Sequence, residues 1–174
     1  MRLITLNKHD HYQGHIYSPI VMIEYGDYQC PRCKEAQSTV KSLQKYFGEN
    51  LCIAFRHFPL TQIHPVSYAA SQAAEVAALY NKFWEMHEQL FENQSSMQNG
   101  VEGVLLLGQS IHLSPIQLHK DMKRVEVKKK VEDDYESGIM GGVNRTPTFF
   151  INGSRYTGSL ETLEMIETIH LLLA

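Results

Sequence analysis

The feature that most constrains the fold is an order of strand, helix and strand early in the chain. Ile20–Ile23 is a short apolar run typical of a buried strand, and Leu51–Phe58 is a second one, closed by Pro59. Between them, apolar residues recur at helical spacing and a glycine suits the helix end: Ala36, Val40, Leu43, Phe47 and Gly48. Two strands joined by a helix favour a parallel pair with a helical crossover, and hence an α/β fold.

The middle of the chain is predicted to be helical, because apolar residues recur there at intervals of three and four. The apolar face comprises Val66, Ala69, Ala70, Ala73, Ala74, Ala77, Tyr80, Phe83, Met86, Leu90 and Phe91. Ser114–Gln117, with a serine before a proline, has the composition of a helix start, and Gly138 suits the end of that helix.

The last part of the chain is predicted to form a β-hairpin and a helix. Thr148–Ile151 is β-prone, Asn152–Gly153 is a strong two-residue turn signal, and Ser154–Tyr156 supplies the returning strand. Ser159 is the expected cap of a final amphipathic helix. The apolar side of this helix is expected to hold Leu163, Ile166 and Leu173. With 174 residues and no repeat or linker, the chain is predicted to be one domain, 1–174.

The composition excludes some classes of function. A net charge of −3 gives no reason to expect nucleic acid as a partner, and the basic run Lys128–Lys130 is followed at once by acidic residues. No stretch approaches the roughly 20 apolar residues of a membrane-spanning helix, so membrane insertion is not expected. Met1–Gly14 lacks the apolar core of a signal peptide, from which we expect a cytoplasmic location, or a periplasmic one if the true start lies upstream.

The three cysteines indicate chemistry rather than a disulfide framework, because their number is small and odd. Cys30 and Cys33 lie between the first strand and the first helix. At a helix start, unpaired N–H groups and the macrodipole stabilise a thiolate, with cysteine pKa values of roughly 3.5–7.5. Pro31 costs no helical hydrogen bond there, and Arg32 adds a nearby cation. We therefore expect Cys30 to attack a disulfide and Cys33 to resolve the mixed disulfide.

A zinc-structured domain is an alternative for the same cysteines. Cys30, Cys33, Cys52 and His57 have a spacing not far from zinc-ribbon patterns. Against this, Cys52 lies in an apolar strand pattern, where a free cysteine is usually a small core residue. No metal is expected on balance.

Two segments resemble the DsbA-like thiol–disulfide oxidoreductases of the thioredoxin superfamily. Glu24–Lys34 resembles the active-site stretch of that family, and Gly142–Gly153 resembles its cis-proline loop and the following hairpin. The resemblance implies a thioredoxin-like fold with an all-helical insertion, at about 63–141, between the βαβ and ββα halves. It further implies that Pro147 is cis and faces the cysteines, and that Thr146 and Pro147 dock the substrate chain.

Glu24 interrupts an apolar strand at a position where members of the superfamily often have a buried acid. Such a carboxylate would have a raised pKa and would relay a proton to or from Cys33. The expected function is dithiol–disulfide exchange on protein or peptide substrates as an oxidoreductase or isomerase. No cofactor is required, and a redox partner that the sequence does not name would regenerate the enzyme.

Two other functions are compatible with the same fold. A non-catalytic peptide-binding module or chaperone would use the cis-proline groove and would not need Cys30. A glutathione-linked transferase or isomerase typically has serine in place of Cys30 and lacks the second cysteine, so the intact pair weighs against it. The middle dipeptide Pro31–Arg32 departs from the Pro-His of strongly oxidising members, and the direction of catalysis is therefore left open.

Overall fold

The structure is a computed structural model that describes residues 3–173, which form five strands and seven α-helices. In chain order these elements are β1 (His11–Gln13), β2 (Ile20–Gly26), α1 (Pro31–Phe47), β3 (Leu51–His57), α2 (Ser67–Leu79), α3 (Phe83–Glu92), α4 (Gly100–Ser110), α5 (Pro115–Asp121), α6 (Val125–Met140), β4 (Thr148–Ile151), β5 (Ser154–Arg155) and α7 (Thr162–Leu173).

The strands form one mixed sheet in the order β1-β3-β2-β4-β5. The predicted parallel pair is present: β2 and β3 run in register from Ile20 opposite Leu51 to Gly26 opposite His57, and α1 is the crossover between them. The predicted hairpin is β4 and β5, with β4 antiparallel to β2. The carboxyl ends of β2 and β3 therefore meet at one edge of the sheet, where α1 begins.

Helices cover both faces of the sheet, which explains why β2 and β3 are buried along nearly their whole length. Leu43 on α1 and Met165 and Ile169 on α7 pack against one face. The helical segment from α2 to α6 packs around Phe55 and Tyr28 on the other side, in a cluster that also contains Cys30 and Cys33. Cys30 and Cys33 thus lie where the sheet meets the inserted helices.

Strand β1 was not predicted, because its residues His11–Gln13 are polar and at most half-buried. It pairs antiparallel with β3 at the edge of the sheet. The segment before it is held by a buried ion pair in which Arg56 Nη2 and Nε each lie 2.8 Å from the Asp10 carboxylate. This ion pair fixes the position of the segment before β1, which has no apolar pattern of its own.

The helical block contains more breaks than the periodicity indicates. Asn81, at φ 57°, separates α2 from α3, and α5 ends before α6 begins at Val125. Gly138 does not end a helix: α6 continues to Met140. A Cβ at Gly138 would lie 2.7 Å from the ring of Phe58, so the absent side chain serves close packing instead.

The predicted helix starts are confirmed in part. Ser114 occupies the N-cap position of α5 and Pro115 is its first residue, as predicted, but the Ser114 side chain makes no capping hydrogen bond. Ser159 Oγ accepts a hydrogen bond from the Glu161 N–H, 3.1 Å away, in the turn before α7, which begins only at Thr162. The buried face of α7 holds Met165 and Ile169, whereas Leu163 and Leu173 are exposed and Ile166 is partly buried. Because α7 is apolar on more than one side, its sequence did not distinguish the face that packs against the sheet.

Candidate active site

Cys30 occupies the N-cap position of α1, directly after the turn that follows β2. Its φ and ψ are −71° and 119°, and Pro31 is the first helical residue. The carbonyl oxygen of Cys30 accepts hydrogen bonds from the N–H groups of Cys33 and Lys34, at 3.1 and 3.2 Å. Cys30 is 6% exposed and Cys33 is fully buried, so only the first thiol reaches the surface.

The two thiols have opposite acidities. A hydrogen bond from the Cys33 side chain is the largest of the effects that lower the pKa of Cys30 to about 5. Thr146 and the backbone N–H groups of Cys33 and Arg32 also lower it, whereas burial opposes them. Burial, the bond to Cys30 and the charge of Glu24 hold the pKa of Cys33 well above its ordinary value. Arg32, the expected nearby cation, contributes through its backbone N–H, and its side chain is exposed.

Thr146 contacts the first thiol, and Pro147 follows it in the chain. Their peptide bond is cis, and the Cys30 thiol donates to the Thr146 carbonyl oxygen at 3.5 Å. Thr146 is buried, and its Oγ1 has no hydrogen-bond partner among residues 3–173. Within the same range, the Thr146 N–H makes no backbone hydrogen bond. The loop therefore presents polar groups next to the sulfur.

Glu24 lies inside the sheet beneath the cysteines and is 2% exposed. Its carboxyl pKa is raised to about 8, mainly by burial; the Gln37 amide opposes this shift, and negative charge at Cys30 adds to it. Gln37 Nε2 lies 3.3 Å from both carboxyl oxygens and 3.4 Å from the carbonyl oxygen of Cys33. Glu24 is thus coupled to the site through α1.

A chain of polar groups leads from Glu24 into the inserted helices. Gln37 Oε1 lies 3.2 Å from His87 Nε2, and His87 Nδ1 lies 3.1 Å from the Tyr28 hydroxyl. Burial lowers the pKa of His87 to about 3, so its ring is neutral near neutral pH. Glu24, Gln37 and His87 also line a cavity of about 180 Å³ between α1 and α3.

Asp27, to which the sequence assigned no role, is fully buried beside the cysteines. Its Oδ1 accepts a hydrogen bond from the Gln29 N–H, and its Oδ2 accepts one from the Leu60 N–H and lies 2.8 Å from His64 Nδ1. Its carbonyl oxygen accepts from the Cys30 N–H at 3.1 Å. The only signal in the sequence is a carboxylate close to Cys30, which does not distinguish a buried anchor from a surface residue.

Gln94 is a second residue that the sequence did not single out. Its Nε2 donates to the carbonyl oxygens of Tyr28 and Cys30, both at 2.9 Å. Because Gln94 follows α3, this amide joins the inserted helices to the active-site loop. Nothing local to Gln94 in the sequence indicates this contact, which spans 64 residues to Cys30.

The four residues of the zinc alternative do not converge. Cys52 is the second residue of β3 and His57 is the last, so roughly 16 Å of extended strand separates them. His57 is buried with its Nε2 2.7 Å from Glu75. Within residues 3–173 no three His, Cys, Asp or Glu side chains are grouped as metal ligands. Cys52 is a buried core residue.

Comparison with known proteins supports the architecture. A family model described as Thioredoxin matches residues 6–170. A thioredoxin-like oxidoreductase from Silicibacter pomeroyi superposes with a TM-score of 0.81 at 23% identity, over 95% of this chain and 93% of that one. Wolbachia pipientis alpha-DsbA1 superposes with a TM-score of 0.82 at 19% identity, over 98% and 94% of the two chains.

The chain therefore belongs to the thioredoxin family. Its fold is that of the DsbA-like thiol–disulfide oxidoreductases, which confirms the predicted fold class. The helices α2 to α6 form the inserted block, between a βαβ unit and the hairpin with its final helix.

The curated proteins that are similar in sequence are much longer and are named as antiporters. The chain is 36% identical over 163 residues to the Na⁺/H⁺ antiporter NhaA 1 of Mycobacterium sp. strain KMS, and 32% identical over 160 residues to that of Mycolicibacterium vanbaalenii. These matches cover 92% of this chain but only 26% of each antiporter. The chain thus spans about a quarter of the length of these relatives. None of the helices within residues 3–173 combines the length and apolar character needed to cross a membrane.

The pKa of Cys30 predicts a distinctive alkylation profile. Because the thiolate is the reactive form, iodoacetamide should modify Cys30 with a rate that rises through pH 5 and is level by pH 7. Cys33→Ala should move the midpoint to higher pH, since it removes the largest stabilising hydrogen bond. Mass spectrometry of quenched samples measures both. A wild-type midpoint near the ordinary value of about 8.5 would contradict the described electrostatics.

Proposed function

We propose that this chain catalyses dithiol–disulfide exchange on protein substrates through Cys30 and Cys33. The observation that carries the proposal is the pair itself: an acidic thiol at a helix start and a buried, weakly acidic thiol one turn later. Reactive cysteines lie in such thiolate-stabilising environments, whereas structural cysteines such as Cys52 do not. The fold of known thiol–disulfide oxidoreductases supports the same chemistry.

In the first reaction the Cys30 thiolate attacks one sulfur of a substrate disulfide. A bond forms between the two sulfurs, the substrate S–S bond breaks, and the second substrate sulfur leaves as a thiolate. In the second reaction Cys33 loses its proton and attacks the Cys30 sulfur, releasing the remaining substrate thiolate. The substrate gains two electrons and the enzyme becomes a disulfide, which a separate dithiol protein must reduce. Exchange in the opposite direction uses the same bonds.

Glu24 supplies the base for the second reaction in this proposal. The high pKa of Cys33 means that its proton needs an acceptor, and the raised pKa of Glu24 makes that carboxyl a matched one near neutral pH. The cavity beside Gln37 and His87 offers the proton a route toward solvent. No cofactor enters the reaction.

Thr146 and Pro147 dock the substrate chain. The Thr146 N–H has no backbone partner among the described residues, and its carbonyl oxygen meets only the Cys30 thiol in a long contact. An extended peptide can pair with such groups as an added strand, which places its sulfur next to Cys30. The Thr146 hydroxyl, which lacks a partner within residues 3–173, is free to donate to a thiolate.

Replacing the two cysteines separately tests the exchange reaction. Cys30→Ser should abolish reduction of a protein disulfide such as that of insulin, because the attacking thiolate is lost. Cys33→Ser should accumulate a mixed disulfide on Cys30, detected as a mass increase under non-reducing conditions. Cys52→Ala, which also removes one thiol, is the matched control and should keep turnover. Full activity of Cys30→Ser in suppressing aggregation, with no exchange by the wild type, would favour the binding-module alternative.

Replacing Glu24 tests the proton transfer. With a peptide already joined to Cys30, Glu24→Gln should slow the attack by Cys33 on the order of 10²-fold, as for loss of a general base. The loss should be largest at alkaline pH, where the wild-type carboxyl is ionised, and small at acidic pH, where it is protonated. Single-turnover release of the peptide thiol measures this, with the exposed Glu35→Gln as control.

An unchanged pH profile in Glu24→Gln would reduce Glu24 to a packing residue and leave the exchange reaction without this base. Glu24→Asp, which keeps a carboxyl, should restore part of the rate.

Isomerase activity and the cytoplasmic location remain predictions. The antiporter name describes the longer relatives, and ion exchange is not carried over to this chain.

A further inference from the structure

A small cleft beside the first thiol is lined by three arginines. Arg32 contributes from the active-site loop, Arg145 from the residue before Thr146, and Arg155 from β5. The cleft has a volume of about 100 Å³, and Thr146 and Pro147 form part of its wall. Among the described residues that line it there is no aspartate or glutamate. We name this site the arginine cleft.

Two of the three cations have no partner within residues 3–173. The side chains of Arg32 and Arg145 are exposed and enter no hydrogen bond or ion pair among the described residues. Arg155 differs, because its Nη1 donates to the Gly142 carbonyl oxygen at 2.7 Å and its Nη2 lies 3.5 Å from Asn144 Oδ1. Arg155 therefore braces the loop before Thr146, and the other two guanidinium groups are left for a ligand.

The positive charge of the arginine cleft is local, because the chain as a whole has a net charge of −3. Acidic side chains do lie nearby: Glu35 and Glu161 line an adjoining cavity that shares Arg32. Neither Arg145 nor Arg155 lines that cavity, and of these two only Arg145 lacks a hydrogen-bond partner among the described residues.

Thr146 links the arginine cleft to the reacting sulfur. Thr146 is 7% exposed, lines the arginine cleft and has no hydrogen-bond partner for its hydroxyl among the described residues. Its side chain lowers the pKa of Cys30, as expected for a hydroxyl that donates to the thiolate. The Cys30 thiol contacts the same residue.

We propose that the arginine cleft binds carboxylates that flank the reacting sulfur, so that the preferred substrates have aspartate or glutamate next to the cysteine. The inference rests on the proposed exchange reaction and adds its substrate class. Guanidinium groups recognise carboxylates by paired hydrogen bonds, and exposed cations also steer anionic segments toward the sulfur. Arg145 is adjacent to Thr146, so a substrate strand paired with Thr146 brings its residues close to the Arg145 guanidinium group.

Three matched peptides test the preference. Each contains one cysteine joined to neutral pyridine-2-thiol, with flanking residues that are aspartates, asparagines or lysines. Attack of Cys30 on the peptide sulfur releases pyridine-2-thione, which absorbance follows. Each rate is divided by the rate of the same peptide with 2-mercaptoethanol, which corrects for intrinsic reactivity. Wild-type protein should react fastest with the aspartate peptide and slowest with the lysine peptide, and added salt should narrow the difference.

Arg145→Gln identifies the cation. It should lower the aspartate-to-asparagine rate ratio about two- to five-fold, the range of an exposed ion pair. Arg145→Lys should retain part of the ratio. Lys128→Gln, which removes one exposed charge from α6, should leave it unchanged. Equal ratios in wild type, Arg145→Gln and Lys128→Gln would overturn the proposal.

Two sources of the carboxylate chemistry are separated by one further arm. Glutathione joined to pyridine-2-thiol presents two carboxylates on a small tripeptide. If Arg145→Gln lowers the reaction rate with this compound as much as with the aspartate peptide, the cleft is assigned to a small acidic thiol. If it lowers the rate with the aspartate peptide alone, the cleft is assigned to a protein segment. Failure of all the peptides to react with wild-type protein would instead contradict the exchange reaction, so the two failures are distinct.

Discussion

The buried carboxylate of Asp27 is the constraint on which the geometry of the active-site loop depends. It joins the turn after β2 to the loop after β3 by accepting from the N–H groups of Gln29 and Leu60, with His64 as a third partner. The backbone of the same residue holds Cys30. A fully buried carboxylate is stable only when such partners satisfy it, so the loop and its anchor must form together.

The surroundings of this loop shift the pKa values of neighbouring groups in opposite directions. Burial raises the pKa of Cys33 and of Glu24, whereas hydrogen bonds at the start of α1 lower the pKa of Cys30. The negative charge of a Cys30 thiolate raises the pKa of Glu24, so formation of a mixed disulfide removes that effect and makes the carboxyl a stronger acid. The three groups therefore titrate as a coupled set, and the state of one sulfur changes the proton affinity beneath it.

The fold was largely predictable because its main signals are local. The apolar runs of β2 and β3, the spacing along α1 and the Asn152–Gly153 turn each specify their own element. The cysteine pair is also a local signal, whereas the cis Pro147 was expected from the family resemblance. Asp27, Gln94 and strand β1 were not, because each is defined by partners far along the chain, as in the contact of Gln94 with Cys30. Helix breaks such as Asn81 and the packed Gly138 also depend on tertiary contacts.

The most direct test of the account is the reduction potential of the Cys30–Cys33 pair in defined glutathione buffers, followed by thiol alkylation and mass. A Cys30 pKa of about 5 lies between those of thioredoxin, about 7, and DsbA, about 3.5. Since a more stable thiolate favours the reduced form, we predict a reversible couple between about −270 and about −120 mV. Absence of any reversible couple between Cys30 and Cys33 would contradict it.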